Sequence, residues 1–137
     1  MEIERFKHQH KEILDRIAGL RQFAHAGIER HAYEIARGIA DLSAVVTRHL
    51  AIEDRILYPA LQNGDDERLA ALGRAYQEDM KGIAHAYIAF SRRWNAATVV
   101  AGKAEEFRAD ANTVLKMLHD RMKRENAEFY PAIEAAG

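Results

Sequence analysis

Residues 48–59 read Arg48-His49-Leu50-Ala51-Ile52-Glu53-Asp54-Arg55-Ile56-Leu57-Tyr58-Pro59. Wound as a helix, this stretch puts His49 and Glu53 one turn apart on one face. An imidazole nitrogen and a carboxylate oxygen then aim at one small region of space. Ile52 and Ile56 flank them on what reads as the core side. A titratable pair on a core-facing stripe is costly to bury unless something satisfies it. A transition metal would do so, and this donor pair suits iron, zinc or manganese.

The surroundings of that pair occur twice. Shifted by 72 positions, Val46 to Glu53 falls on Leu118 to Glu125. Leu57-Tyr58-Pro59-Ala60-Leu61 falls on Phe129-Tyr130-Pro131-Ala132-Ile133. Glu53 and Glu125 are therefore equivalent, each at the same distance from a Tyr-Pro pair, and helices packed in a bundle could bring them face to face. The intervening segments match more loosely, His10, Ile13, Ile17 and Leu20 against Met80, Ile83, Tyr87 and Phe90.

Working outward, apolar residues recur at three- and four-residue steps almost throughout, the signature of amphipathic helix. Phe6, His10, Ile13, Leu14, Ile17 and Leu20 mark a first helix over residues 2–26, which Gly27 can end. A second covers 29–61, with Ile35, Ile39, Leu42, Val45, Val46, His49, Ile52, Glu53 and Ile56 inward. Pro59 lies near its end, where a lost hydrogen bond costs least. Gly64 breaks the chain, and Asp65 or Asp66 can cap a third helix over 66–94. Residues 95–102 read as the most mobile loop. A fourth helix covers 103–134, with Phe107, Val114, Leu118, Arg121 and Glu125 inward. The expected fold is all-α: one domain over residues 1–137, an up-and-down antiparallel four-helix bundle.

Composition narrows the chemistry. The 137 residues carry a net charge of −1, which gives no general attraction to nucleic acid or to an anionic membrane. There is no cysteine, so disulfides, thiolate metal sites, iron–sulfur ligation and cysteine catalysis are excluded. No apolar run approaches the ~20 residues of a membrane span. The chain opens in charged helical sequence without an apolar leader, so a cytoplasmic protein is expected.

His10, His49-x-x-x-Glu53 followed by Tyr58-Pro59, and Glu125 followed by Tyr130-Pro131 together resemble the hemerythrin-like domains, also called HHE cation-binding domains. The resemblance spans essentially the whole chain. It implies a four-helix bundle around a non-haem di-iron centre held by five histidines and two bridging carboxylates. It implies binding of oxygen or related small ligands, with roles in sensing or in stress responses. Residue by residue the carry-over is partial. His10, His49, Glu53 and Glu125 match the ligands of one iron. Where the other iron requires histidines, the third helix offers Tyr76 and Met80, and the fourth offers Arg121. A guanidinium is permanently charged and cannot coordinate a metal. Pointing inward, Arg121 would bridge Glu125 or Glu53 in bidentate fashion and supply the positive charge of the missing ion. Tyr76 remains a weak phenolate candidate, and Met80 is core filler or a replacement for a ligand.

The other histidines have plainer readings. His8 is expected at the surface, and His25, His31 and His119 as solvated or local capping groups. His85 lies five residues past Met80, roughly 140° round the helix, and is kept as a reserve ligand. Tyr58 and Tyr130 read as packing residues at helix ends. Two functions follow. The first is a metal-binding module that is not an enzyme, holding one iron in preference to two, or zinc or manganese, and taking a diatomic ligand or peroxide. The second is a metal-free domain in which an Arg121–carboxylate network replaces the cofactor and the surface serves a protein partner. Either would work as a monomer or homodimer.

Overall fold

The computed structural model describes residues 2–136 and is helical nearly throughout. Helix α1 spans Ile3–Gly27 and buries Ile3, Phe6, His10, Ile13, Ile17 and Leu20, the stripe its spacing predicts. It stops at Gly27, whose φ of +143° lies where side chains other than glycine are strained. The second rod is a composite: α2 (Ala32–Ile52), a π-helical turn (Glu53–Leu57) and α3 (Tyr58–Gln62). Helix α4 spans Glu67–Arg93. The Asp66 carboxylate caps it, accepting from the backbone N–H groups of Arg68 at 3.0 Å and Leu69 at 3.1 Å. A short α5 (Ala97–Gly102) leads into a second composite rod: α6 (Ala104–Arg124), a π-turn (Glu125–Phe129) and α7 (Tyr130–Ala136). Helix α1 packs on α2 and α6, and α4 packs on the same two, so the four rods close into the expected bundle.

The two π-turns occupy equivalent places. Each begins at one of the paired glutamates and ends just before a Tyr-Pro pair. In each the tyrosine N–H bonds the glutamate carbonyl five residues back, Tyr58 to Glu53 and Tyr130 to Glu125. Proline explains the widening. Its ring has no N–H to offer, and inside an α-helix it collides with the carbonyl four residues earlier. A turn with one extra residue ahead of Pro59 or Pro131 moves that carbonyl aside, and the helix continues instead of breaking. The extra residue also resets the phase of the rod. Leu57 and Tyr58 turn inward, while Ile56 is left 50% exposed. Ile56 does not belong to the inner face that unbroken α-helical spacing assigns it.

The second departure is at residues 95–102. They form an ordered plug rather than a mobile loop. Val100 is fully buried, α5 packs on α2, and the buried indole of Trp94 donates to the Asp110 carboxylate at 2.7 Å. The apolar run Val99-Val100-Ala101 closes the end of the bundle that Phe90 and Phe107 fill.

The interior divides in two. A larger apolar cluster runs from Ile13, Val46, Met80 and Met122 to Trp94 and Val100. A smaller one contains Ile3, Phe6, Leu57, Tyr58, Tyr76, Phe129 and Tyr130. His10, His49, Glu53, Arg121 and Glu125, the buried polar residues, lie at the boundary. Among the described residues no helix is long and apolar enough to cross a membrane.

Candidate metal centre

Each of the four expected ligands comes from the inner stripe of its rod. His10 is on α1 and His49 on the last turn of α2. Glu53 and Glu125 open the two π-turns. All four are at most 1% exposed, and one ligand atom from each falls within a sphere of mutual distances no greater than 4.8 Å. The Nε2 atoms of His10 and His49 are 3.0 Å apart. Nε2 of His10 is 3.3 Å from Oε1 of Glu125, and Nε2 of His49 is 3.3 Å from Oε1 of Glu53.

The outer nitrogens fix how the rings are protonated. Nδ1 of His10 donates to Oδ1 of Asn126 at 2.8 Å, and Nδ1 of His49 donates to Oε1 of Gln9 at 2.6 Å. A carboxamide oxygen only accepts, so each Nδ1 carries a proton, and each ring in its neutral form presents a lone pair at Nε2. Such an outer partner sets the tautomer and orientation of a metal-bound histidine. Facing those lone pairs, all four oxygens of Glu53 and Glu125 are buried without a hydrogen-bond donor. Buried acceptors that converge on one point without donors are rare and costly. Two imidazoles with two carboxylates make a mixed nitrogen–oxygen set that fits a divalent or trivalent first-row ion.

Electrostatics points the same way. Burial, then the neighbouring His10 and Arg121, hold the His49 ring down to about 3, so it is neutral and ready to coordinate. Burial and the adjacent Glu125 push Glu53 well above the usual carboxylate range. Burial would raise Glu125 too, but its contacts with His10 and Arg121 outweigh that and hold it below the usual value. Without an ion, the pair therefore keeps one proton between two oxygen sets that a cation would fill.

Arg121 is buried, as expected, but its bonds differ from the expectation. Nη1 donates to Oδ2 of Asp79 at 2.9 Å, and Nη2 donates to the carbonyl of Tyr76 at 2.8 Å and to the hydroxyl of Tyr58 at 3.4 Å. No bidentate bridge to Glu53 or Glu125 forms. The nearest approach is Nε to Oε1 of Glu125 at 3.6 Å, outside hydrogen-bonding range, and Nε has no acceptor. The reason lies in Asp79. It is half in solvent and offers the guanidinium a partner whose own desolvation is partial. The guanidinium carbon also lies 4.5 Å above the Tyr76 ring, which stacks on Phe129 at 4.3 Å.

Tyr76 thus supplies a carbonyl and a ring face to Arg121 rather than a phenolate to a metal. Its hydroxyl lies toward Glu128 and Arg124, and burial with Glu128 pushes it up to about 12. Met80 packs in the larger apolar cluster. His85 is exposed and is not a reserve ligand, because five residues past an inward Met80 the helix has turned it away from the centre. His8 and His25 are exposed, His119 pairs with Asp120 at 3.4 Å, and His31 is part-buried over Phe23.

Four contributors are not evident in the sequence: Gln9, Asn126, Asp79 and Tyr130, whose hydroxyl lies 2.8 Å from Nε2 of His10. Gln9 and Asn126 are sequence neighbours of His10 and Glu125, and that adjacency is the available signal. An uncharged amide beside a ligand looks like any other helix-rim residue until the opposite rod is in place.

The chain matches the family model described as "Hemerythrin HHE cation binding domain" over residues 1–133 of 137. No curated protein and no solved structure gives a significant match. With that match spanning nearly the whole chain, and with a helical bundle around a buried His/Glu group that could bind a metal, the chain belongs to the hemerythrin HHE cation-binding domain family.

Proposed function

We propose that this domain holds a single iron ion between His10, His49, Glu53 and Glu125 and uses it to bind a small ligand, a diatomic molecule or peroxide, as a sensor or carrier rather than as an enzyme. The observation that carries this reading is the convergence on one buried point of two outward-anchored imidazoles and one oxygen from each of two carboxylates that have no hydrogen-bond donor. A bound iron would supply an open coordination position and a reversible change of oxidation state. The chain's own residues do the rest. Asn126 and Gln9 hold the rings in register. The carboxylates neutralise charge. The apolar clusters on either side exclude water. Arg121 supports a count of one. Its fixed positive charge lies 3.6 Å from Glu125, where a second ion would otherwise share the carboxylates. Zinc and manganese suit the same donors.

The metal-free alternative has less support. It requires the guanidinium to satisfy the carboxylates, yet the hydrogen bonds of Arg121 go to Asp79, Tyr76 and Tyr58. Metal analysis of the purified protein separates the two readings. Near-stoichiometric iron that is lost in His49→Ala supports the proposal. Protein that stays metal-free after anaerobic incubation with ferrous iron refutes it.

A further inference from the structure

Tyr130 is fully buried beside the four ligand residues, the second such tyrosine of the 72-residue repeat. Its hydroxyl oxygen lies 2.8 Å from Nε2 of His10. Nδ1 of His10 already donates to Asn126, so Nε2 is the acceptor and the phenol the donor. Among the described residues this is the only hydrogen bond Tyr130 makes through its side chain. An ion in the centre takes the same lone pair. The phenol then loses its partner in a place where water does not replace it.

The distances say where its oxygen stands. Bonds from first-row ions to nitrogen and oxygen are about 2.0–2.2 Å long, so donor atoms on one ion are about 2.9 Å apart at right angles and about 3.4 Å apart at the tetrahedral angle. The separations His10–His49, His10–Glu125 and His49–Glu53, at 3.0, 3.3 and 3.3 Å, lie on that scale. So does Tyr130–His10 at 2.8 Å. We propose that Tyr130 is a fifth ligand of the centre, binding ferric iron through its phenolic oxygen. The proposal rests on the reading of the centre as an iron site.

As the oxygen–iron bond forms, the O–H bond breaks and the proton passes to solvent, with no change of oxidation state. Two carboxylates and one phenolate then balance a trivalent ion. Without an ion the phenol keeps its proton, because burial and the neighbouring carboxylates favour the neutral form. The other two tyrosines near the centre are committed elsewhere. The hydroxyl of Tyr58, the repeat partner of Tyr130, lies 3.4 Å from Nη2 of Arg121, and that of Tyr76 faces Glu128.

The test is spectroscopic. Protein is loaded with ferrous iron without oxygen, oxidised with ferricyanide, desalted and assayed for iron. Wild type should show a broad visible phenolate-to-iron charge-transfer band and tyrosinate ring modes in its resonance Raman spectrum. Tyr130→Phe should retain iron and lose both signals, and Tyr58→Phe should keep them. Identical spectra for iron-loaded wild type and Tyr130→Phe overturn the proposal. If Tyr130→Phe folds but holds no iron, the wild-type Raman spectrum decides: tyrosinate modes support the proposal and their absence refutes it. Wild type that takes up no iron removes the iron reading itself and this inference with it, a result distinct from a loaded but colourless protein.

Discussion

The Nε2 atoms of His10 and His49 face each other at 3.0 Å while both Nδ1 atoms donate outward, to Asn126 and Gln9. The lone pair of His10 accepts from the Tyr130 hydroxyl at 2.8 Å, and a cation between the rings would engage the Nε2 atoms of both. The bundle holds them there through hydrogen bonds on the far side of each ring. The centre is therefore prepared for an ion by residues that never touch it.

If so, Asn126→Leu and Gln9→Leu should each weaken metal binding about 10–100-fold while leaving the helical fold intact. Competition titration against a chromophoric chelator measures this. Asn126→Asp should restore much of the loss, since a carboxylate also accepts from Nδ1. Unchanged affinity in both leucine variants would mean the rings need no outer partner.

Arg121 sets the number of ions in the second prediction. Arg121→His replaces a fixed cation with a ligand beside the same two carboxylates. Metal content should rise above one ion per chain when excess ferrous iron is supplied and free metal is removed. A content that stays at one would show that something other than Arg121 limits the count.

The metal-free protein should have a characteristic pH profile. His49 is neutral down to about 3 when folded, against an ordinary value of 6.5, so the stability it contributes is present above 6.5 and is lost as pH falls toward 3. Glu53 is raised when folded above its ordinary value of 4.5, so its share is present below 4.5 and is lost as pH rises through its folded value. Between 4.5 and 6.5 the two slopes oppose each other. Melting temperature should be flattest in that interval and fall on either side. Added metal, which needs both carboxylates ionised, should lift the alkaline arm. A profile that climbs steadily from pH 5 to 9 without metal would contradict the assignment of Glu53.

At the far end of the bundle, Trp94→Ala should cost about 3–5 kcal/mol, because it empties a fully buried site and removes the indole's hydrogen bond to Asp110. Chemical denaturation measures the loss. Metal affinity in the still-folded protein should be unaffected, since the larger apolar cluster separates this end from the centre.

Much of this architecture was legible because burial in a bundle leaves a periodic trace. His10, Ile13, Ile17 and Leu20 on α1, and Ile35 to His49 on α2, lie where three- and four-residue steps place them. The equivalence of Glu53 and Glu125 could be read from the repeat. Periodicity failed where the helix changes pitch, as Ile56 shows. It also failed at residues 95–102, where the six residues of α5 are too few to show a helical stripe but enough for Val100 to seal the core. At the centre, residue type indicated the inward candidate ligands, but not which groups would meet across rods. The choice of Asp79 over the glutamates by Arg121, the amide anchors of the two imidazoles and the approach of Tyr130 to His10 all depend on how the rods are rotated against each other.

The widened turns at Glu53 and Glu125 place a splice in each composite rod, with helix on either side running out of phase by one residue. Removing one residue from a splice, Asp54 or Ala127, would restore a uniform α-helical spiral ahead of the proline. Leu57 and Tyr58 in one case, Phe129 and Tyr130 in the other, would then follow their glutamate by three and four residues and keep to the inner face. Pro59 or Pro131, however, would meet the carbonyl four residues before it. A single-codon deletion there should thus keep the inner stripe in register and lower stability at the proline, a loss that replacing that proline by alanine in the same shortened chain should relieve.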